Sequence, residues 1–178
     1  MALALRKGRL AAASITTREH AQKVVIVRDV AEARIPTTKL RTTLTHVLLA
    51  EKRVGTVNVI VVNDATMRRL NRRFRDRDKP TDVLSFPMGD PLPGSIQRAL
   101  IGEIYCNYSH CQRWVKENGG TVADELLRLA VHGCLHLLGY DHHDPAGHRK
   151  MLSAENRYVD EGGLILSRVN ADGTSEHA

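Results

Sequence analysis

The segment that most restricts how this chain can fold is HGCLHLLGYDH, at residues 132–142. His132 and His136 lie four residues apart in an apolar run, and on an α-helix this spacing stacks two side chains on one face with Cβ atoms about 6 Å apart. Gly139 can adopt a left-handed conformation that ends the helix and turns the chain back, which brings His142 toward the other two histidines. The pattern therefore predicts a helix, a tight turn and a place where three imidazoles meet.

Three converging imidazoles are a ligand set for a divalent metal ion. Three protein ligands leave one coordination position open, which is the arrangement of a catalytic zinc site, where water with a pKa near ~7 supplies hydroxide. A single histidine on an apolar helix is usually a hydrogen-bonded boundary residue, but three at this spacing are hard to explain in that way. We expect one divalent ion, with Zn²⁺ as the natural choice and nickel or another ion compatible with the same ligands. His143 and His148 do not fit the spacing.

The spacing also matches the zinc peptidase pattern H-E-x-x-H-x-x-G-x-x-H at every position except residue 133. In those peptidases the glutamate at this position takes a proton from the metal-bound water. Gly133 has no side chain and cannot do so. A zinc metallopeptidase is therefore the alternative function, with its general base missing.

A second feature is the basic segment RRLNRRFRDRDK at residues 68–79, in which seven of twelve residues are Arg or Lys. On a helix, Arg68, Arg72 and Arg75 follow the spacing i, i+4, i+7 and form a stripe, and Arg77 comes shortly after it. Guanidinium groups bind phosphate oxygens in pairs of hydrogen bonds, whatever the base sequence. We predict phosphate binding here; the alternative is a solvated face paired with Asp76 and Asp78 of the same segment.

Composition narrows the classes further. The 178 residues carry a formal charge of +6, which suits a polyanionic partner, and only 4% aromatic residues, so that binding should depend on charge more than on stacking. No apolar run approaches the ~20 residues that span a bilayer. Cys106, Cys111 and Cys134 are odd in number and form no CxxC pair, which favours buried thiols over a disulfide framework.

The periodicity predicts an α+β fold in a single compact domain, with a small mixed sheet packed against helices and the metal site at the end of a central helix. Asp64 and Thr121 are candidate helix caps. Strand-like or extended segments lie at 23–28, 57–63, 80–87 and 101–106. Helical patterns begin near residues 36, 64, 121 and 145, and a further helix with Trp114 and Val115 follows the strand at 101–106.

We expect three parts along the chain. Residues 1–20 form a basic extension, interpreted as flexible, although the lack of acids before Glu19 also faintly resembles a transit peptide. Residues 21–165 form the metal-dependent domain, and residues 166–178 form a polar tail. The absence of an export pattern favours the cytoplasm, and we expect no membrane association.

Taken together, two motifs resemble one known family. HGCLHLLGYDH and LNRRFRDRDKPTDVLSFP (residues 70–87), followed by IGEIYC and then Met151 and Glu155, resemble the YbeY family of metal-dependent endoribonucleases and rRNA maturation factors. The resemblance covers roughly residues 40–160. In this family glycine follows the first histidine, so residue 133 is no departure from it.

The resemblance implies a four-stranded mixed sheet, a zinc ion held by His132, His136 and His142, and a phosphate-contacting arginine that matches Arg75. It also implies single-strand-specific RNA cleavage in 16S rRNA 3′-end maturation and ribosome quality control, with rRNA and the small ribosomal subunit as partners and no small-molecule cofactor. A non-catalytic ribosome-assembly factor with a structural metal is a further alternative. The motif contains no obvious proton acceptor: Asp141 either caps the turn or orients His136, and water and the RNA 2′-hydroxyl are both candidate nucleophiles.

Overall fold

A computed structural model describes residues 22–31, 33–89 and 100–161. The predicted extension at 1–20 and the predicted tail at 166–178 lie outside the described residues, so the domain boundaries remain predictions. The described strands are β1 (Gln22–Arg28), β2 (Gly55–Val62), β3 (Val83–Pro87) and β4 (Leu100–Asn107). The described helices are α1 (Thr37–Ala50), α2 (Asp64–Arg75), α3 (Tyr108–Asn118), α4 (Val122–Leu137) and α5 (Pro145–Glu161).

The strands form one four-stranded sheet in the order β1-β2-β4-β3. Strands β1, β2 and β4 are parallel, and β3 runs antiparallel to β4 at the edge. The valine-rich strand β2 lies second in the sheet with alternate residues fully buried, as its composition predicts. The expected α+β class with a small mixed sheet is therefore confirmed.

The two faces of the sheet are covered differently. Helices α1, α4 and α5 share the larger apolar core on one face, where α4 is almost wholly buried as a central helix. On the other face, α2 places Met67 against Val62 and Leu84, with partly buried Phe86 and Tyr105 beside them. Alternate side chains of β3 face these two layers, because successive residues of a strand point to opposite faces of the sheet.

Helices α1, α2, α4 and α5 begin within one residue of the predicted positions, whereas α1 ends at Ala50, before the predicted stop at Gly55. Thr121 caps α4 by accepting a hydrogen bond from the Asp124 amide, as expected. Helix α2 differs: Asn63 is its cap and accepts from the Thr66 amide at 3.0 Å, while Asp64 is already the first helical residue. Asn and Asp cap equally well, so composition alone does not decide between neighbouring positions.

Gly133 allows α4 to lie close against the sheet. A Cβ atom at this position would lie 2.5 Å from Ile104 Cγ2 and 2.8 Å from Ser85 Oγ. The Ser85 hydroxyl donates a hydrogen bond to the Gly133 carbonyl at 3.1 Å. Residue 133 therefore points at strands β3 and β4, where a side chain has no room.

The three cysteines are free and buried, as predicted. Burial raises the pKa of Cys111 and Cys134 to about 12 and that of Cys106 well above its usual value, so the thiols are inert at neutral pH. Within the described ranges, no helix combines the length and the apolar composition needed to cross a bilayer.

Candidate metal centre

The three predicted histidines meet at the C-terminal end of α4. His132, His136 and His142 each offer one ring nitrogen, and these three nitrogens lie within 4.8 Å of one another. The Nε2 atoms of His132 and His136 are 3.1 Å apart. All three side chains are half-buried, whereas His143 is exposed and outside the group, as its spacing predicted.

A buried carboxylate orients the first histidine. His132 Nδ1 donates to Glu155 Oε2 at 2.9 Å, so its Nε2 atom faces the other imidazoles. The other oxygen of Glu155 accepts from Arg128 Nη1 at 3.2 Å. Arg128 in turn makes two hydrogen bonds to Glu125, at 2.8 and 3.0 Å. The chain of contacts joins α5 to two turns of α4.

The surroundings of Glu155 favour the ionised form of its carboxyl group. Burial by itself raises the pKa of Glu155, but the hydrogen bonds and charges of His132 and Arg128 outweigh burial and hold the pKa below its ordinary value. Burial likewise lowers the pKa of Arg128, but Glu125 and Glu155 outweigh it and raise the pKa overall. The anionic Glu155 is the acceptor that keeps the proton of His132 on Nδ1.

A backbone carbonyl orients the second histidine. Helix α4 ends at Leu137, two residues before the predicted stop, and Gly139 then turns the chain with φ = +89°. The turn brings the Tyr140 carbonyl to 3.0 Å from His136 Nδ1, which donates to it. Asp141 accepts from the His143 amide at 3.3 Å, so of its two predicted roles it takes the capping one.

The turn is itself anchored from a distant helix. The Tyr140 hydroxyl donates to Glu51 Oε1 at 3.0 Å, and the Tyr158 hydroxyl donates to the same oxygen at 2.5 Å. Glu51 follows the end of α1, and Tyr158 is on α5. The segment that positions His136 is thus tied to two elements of the main core.

The donor set fits a divalent metal ion. Two nitrogens bound to one tetrahedral zinc lie ~3.3 Å apart, close to the 3.1 Å between His132 and His136. Burial lowers the pKa of His136 to about 4, and the neighbouring His132 acts in the same direction. Burial, followed by His132, also lowers the pKa of His142. Low pKa values keep imidazoles neutral, which is the form that binds metals.

The arginines of the basic segment are not alike in their partners. Arg75 is the last residue of α2 and its side chain is exposed; after burial and His132, its positive charge also acts to lower the pKa of His136. Arg68 is paired with both oxygens of Asp78, at 2.6 and 2.8 Å, and Arg72 approaches the same carboxylate at 4.0 Å. In the described parts of the chain no carboxylate pairs with Arg75 or with the exposed Arg77.

Sequence reasoning missed the groups that hold the ligands. Within the apolar run of α4, Glu125 and Arg128 stand three residues apart, and two opposite charges at this spacing inside an apolar helix indicate a buried pair. Glu51 and Tyr140 are separated by 89 residues and carry no such local signal.

An α+β domain with a mixed four-stranded sheet carries, at the end of its central helix, a group of three histidines that could hold a metal ion. A sequence profile described as Endoribonuclease YbeY matches residues 20–163. The chain therefore belongs to the YbeY family, and the predicted resemblance is confirmed.

Named relatives agree with this assignment. The chain is 35% identical over 146 residues to the Endoribonuclease YbeY of Myxococcus xanthus, covering 82% of this chain and 49% of that protein. For the Anaeromyxobacter sp. (strain Fw109-5) protein of the same name, identity is 36%, covering 79% and 72%. The chain thus spans about half the length of the Myxococcus relative.

A solved structure has the same fold. The solution structure of a Thermotoga maritima protein superposes with a TM-score of 0.59 at 31% identity, and the match covers 78% of this chain and 88% of that protein.

Proposed function

We propose that this protein is a metal-dependent endoribonuclease specific for single-stranded RNA, acting in 16S rRNA 3′-end maturation and ribosome quality control. The observation that carries the proposal is the preoriented three-histidine group, and the exposed Arg75, which pairs with no carboxylate in the described residues, supports it. Family membership supports an RNA substrate. We propose the cytoplasm as the location of this activity and the small ribosomal subunit as its partner, because an rRNA maturation role requires both.

His132, His136 and His142 would hold the ion, with Zn²⁺ as the proposed metal. A divalent ion with an open coordination position supplies Lewis acidity toward a phosphodiester and lowers the pKa of bound water. Glu155 and the Tyr140 carbonyl accept from Nδ1 of His132 and His136, which leaves the Nε2 atoms of both imidazoles facing each other, where they would hold the ion. Both Glu155 oxygens are engaged by His132 and Arg128, so we assign Glu155 to positioning and not to proton transfer.

Arg75 binds the RNA phosphate and stabilises the negative charge that develops on it during cleavage. A guanidinium can donate two parallel hydrogen bonds to phosphate oxygens. Arg77 and Arg72 extend the positive surface along the same segment, and Arg68 contributes when its pairing with Asp78 is exchanged for a phosphate.

Peptidase chemistry receives no support from residue 133. Its Cβ direction leads toward Ile104 and Ser85 in the sheet, so a glutamate there would be directed away from the histidines. The missing base is thus a consequence of how closely α4 packs on the sheet.

The test combines metal analysis with cleavage assays on nuclease-free preparations. Wild-type protein should contain one divalent ion per chain and cut single-stranded RNA but neither duplex RNA nor casein. His132→Ala and Arg75→Ala should each abolish cutting, and only His132→Ala should lose the metal. His143→Ala and Arg41→Ala, at exposed positions outside the site, are the matched controls.

Three results would contradict the proposal. Equal residual cleavage by wild type and His132→Ala would show a contaminating nuclease. A wild type that binds RNA but cuts nothing would favour the assembly factor with a structural metal. Cleavage that does not map to the 3′ end of 16S rRNA in immature small subunits would remove the maturation role while leaving the nuclease.

A further inference from the structure

An exposed aromatic side chain lies at the edge of the sheet among arginines. Phe74 is 54% exposed, although it continues the inward stripe of α2 that begins at Met67 and Leu70. Its ring lies 4.7 Å from that of Phe86 on β3. Strand β3 is at the edge of the described sheet, so no described strand lies beyond it, and about half of the Phe74 surface is exposed to solvent.

The surroundings of Phe74 are positively charged. The Arg73 guanidinium lies 5.3 Å from the centre of the Phe74 ring, and Arg69 and Arg72 line an open depression of about 470 Å³ on the same helix. Arg69 and Arg73 form no ion pair with any carboxylate in the described ranges. Two acids on this side of the sheet already accept hydrogen bonds from other groups: Glu103 from Tyr105 and Asn58, and Asp29 from Thr66.

The position of Phe74 relative to the histidines follows from strand β3. On one side of β3, Ser85 contacts Gly133 of the metal helix α4; on the other, Phe86 contacts Phe74. Arg75, the proposed phosphate-binding residue, directly follows Phe74 in the chain. Strand β3 and the step from Phe74 to Arg75 therefore connect the aromatic pair to the two parts of the proposed site.

We propose that the Phe74–Phe86 pair is a base-stacking site for single-stranded RNA, one that holds a nucleotide flanking the phosphate bound by Arg75. An unpaired base can stack its flat face on the exposed Phe74 ring, and the neighbouring phosphates can bind Arg69 and Arg73. A duplex cannot use this site, because its bases are already stacked and paired. The inference rests on the proposed function and gives it a structural source of single-strand preference.

The test compares two probes that carry the same phosphates. Binding of the full-length, metal-loaded protein to a fluorescent oligoadenylate and to an abasic oligomer of the same length is measured by anisotropy at early times, before cutting changes the signal. Phe74→Ala should weaken oligoadenylate binding at least about fivefold, the effect of losing one stacked base, and leave the abasic oligomer unchanged. Phe74→Trp should retain the binding, and Arg73→Ala should weaken both probes.

Leu152→Ala is the matched control, because Leu152 is an exposed apolar residue of similar exposure (46%) on α5. It should leave both probes unchanged. If Phe74→Ala and Leu152→Ala bind oligoadenylate alike, or if Phe74→Ala weakens both probes equally, the stacking site is wrong. A wild type that cuts single-stranded RNA while Phe74→Ala binds normally overturns the stacking site alone; a wild type that binds neither probe overturns the proposed function as well.

Discussion

The two charged regions of this protein are built in opposite ways. The network behind the metal site, made of Glu125, Arg128 and Glu155, is buried, and each guanidinium or carboxylate contacts a fixed partner. The arginine face of α2 is exposed, and Arg69, Arg73 and Arg75 have no carboxylate partner among the described residues. Similar side chains therefore hold neighbouring groups in place in the buried network, whereas on α2 they remain free to bind a phosphate.

The difference follows from the solvent around each region. A buried charge that loses its partner is destabilising by several kcal/mol, so the network tolerates little change and holds the imidazoles in one orientation. An exposed arginine is well hydrated, and a surface ion pair contributes little, so its guanidinium can leave one partner for a phosphate. The two regions should consequently differ in stability, in metal binding and in response to salt.

The largest effect should come from breaking the buried network. Arg128→Met leaves two carboxylates buried without their shared cation, and we expect the free energy of unfolding of the metal-free protein to fall by about 3–5 kcal/mol. Arg113→Met is the matched control, since Arg113 pairs with Asp64 at the surface and its side chain is 51% exposed, against 15% for Arg128. Urea denaturation measures both. Equal losses for the two variants would contradict the distinction between the regions.

Metal removal should give the next largest effect. An ion present at a thousand times its dissociation constant stabilises the folded state by about 4 kcal/mol, so chelation should lower the thermal midpoint of the wild type. His136→Ala should abolish the metal-dependent part of that midpoint, while Arg75→Ala should keep it. Scanning calorimetry with and without Zn²⁺ measures this. If the thermal midpoint of His136→Ala still rises with Zn²⁺, the metal binds at another site.

A smaller effect should follow from filling the space at residue 133. Alanine favours a helix over glycine by about 1 kcal/mol, but a Cβ here meets Ile104 and Ser85 below contact distance, so Gly133→Ala should destabilise by about 1–3 kcal/mol. Ser153→Ala, at an exposed position on α5, should change stability by less than about 0.5 kcal/mol. Urea unfolding curves of the two variants and the wild type measure these changes in the free energy of unfolding. A stabilised Gly133→Ala would mean that α4 is free to shift away from the sheet.

The smallest effects should be in the salt dependence of RNA binding, and they separate the arginines from one another. Arg75→Ala should reduce the slope of log binding constant against log salt by ~0.7, the value for one phosphate contact to a single strand. Arg68→Ala should change it less, since Asp78 holds that guanidinium. Asp78→Asn should release Arg68 and strengthen binding. Anisotropy titrations over a range of KCl concentrations measure all three, and identical slopes for Arg68→Ala and Arg75→Ala would refute this order.

Much of the candidate site could be predicted because its pattern is local. The i, i+4 spacing of His132 and His136 places both on one helical face in any context, and Gly139 marks the turn by its conformational freedom. The strands were predictable for the same reason, because their apolar runs bury one or both faces wherever they lie. The three histidines therefore meet as expected.

The groups that orient the ligands were not predictable from local pattern. Glu155 is 23 residues from His132, and Glu51 is 89 residues from Tyr140, so their contacts depend on how α1 and α5 pack against α4. The difference between Arg68 and Arg75 is local: Asp78, ten residues after Arg68 in the same basic segment, pairs with Arg68, as the alternative of a charge-paired face allowed, and it does not pair with Arg75.

Sequence alone therefore determined the three-histidine group, the central helix, the mixed α+β class and the basic character of α2, since each depends on spacing within one or two helical turns or along one strand. Tertiary structure decided which carboxylate holds His132, which acid anchors Tyr140, and why residue 133 is glycine. Those outcomes depend on contacts between elements far apart in the chain, and only close packing against the sheet brings such elements within hydrogen-bonding distance.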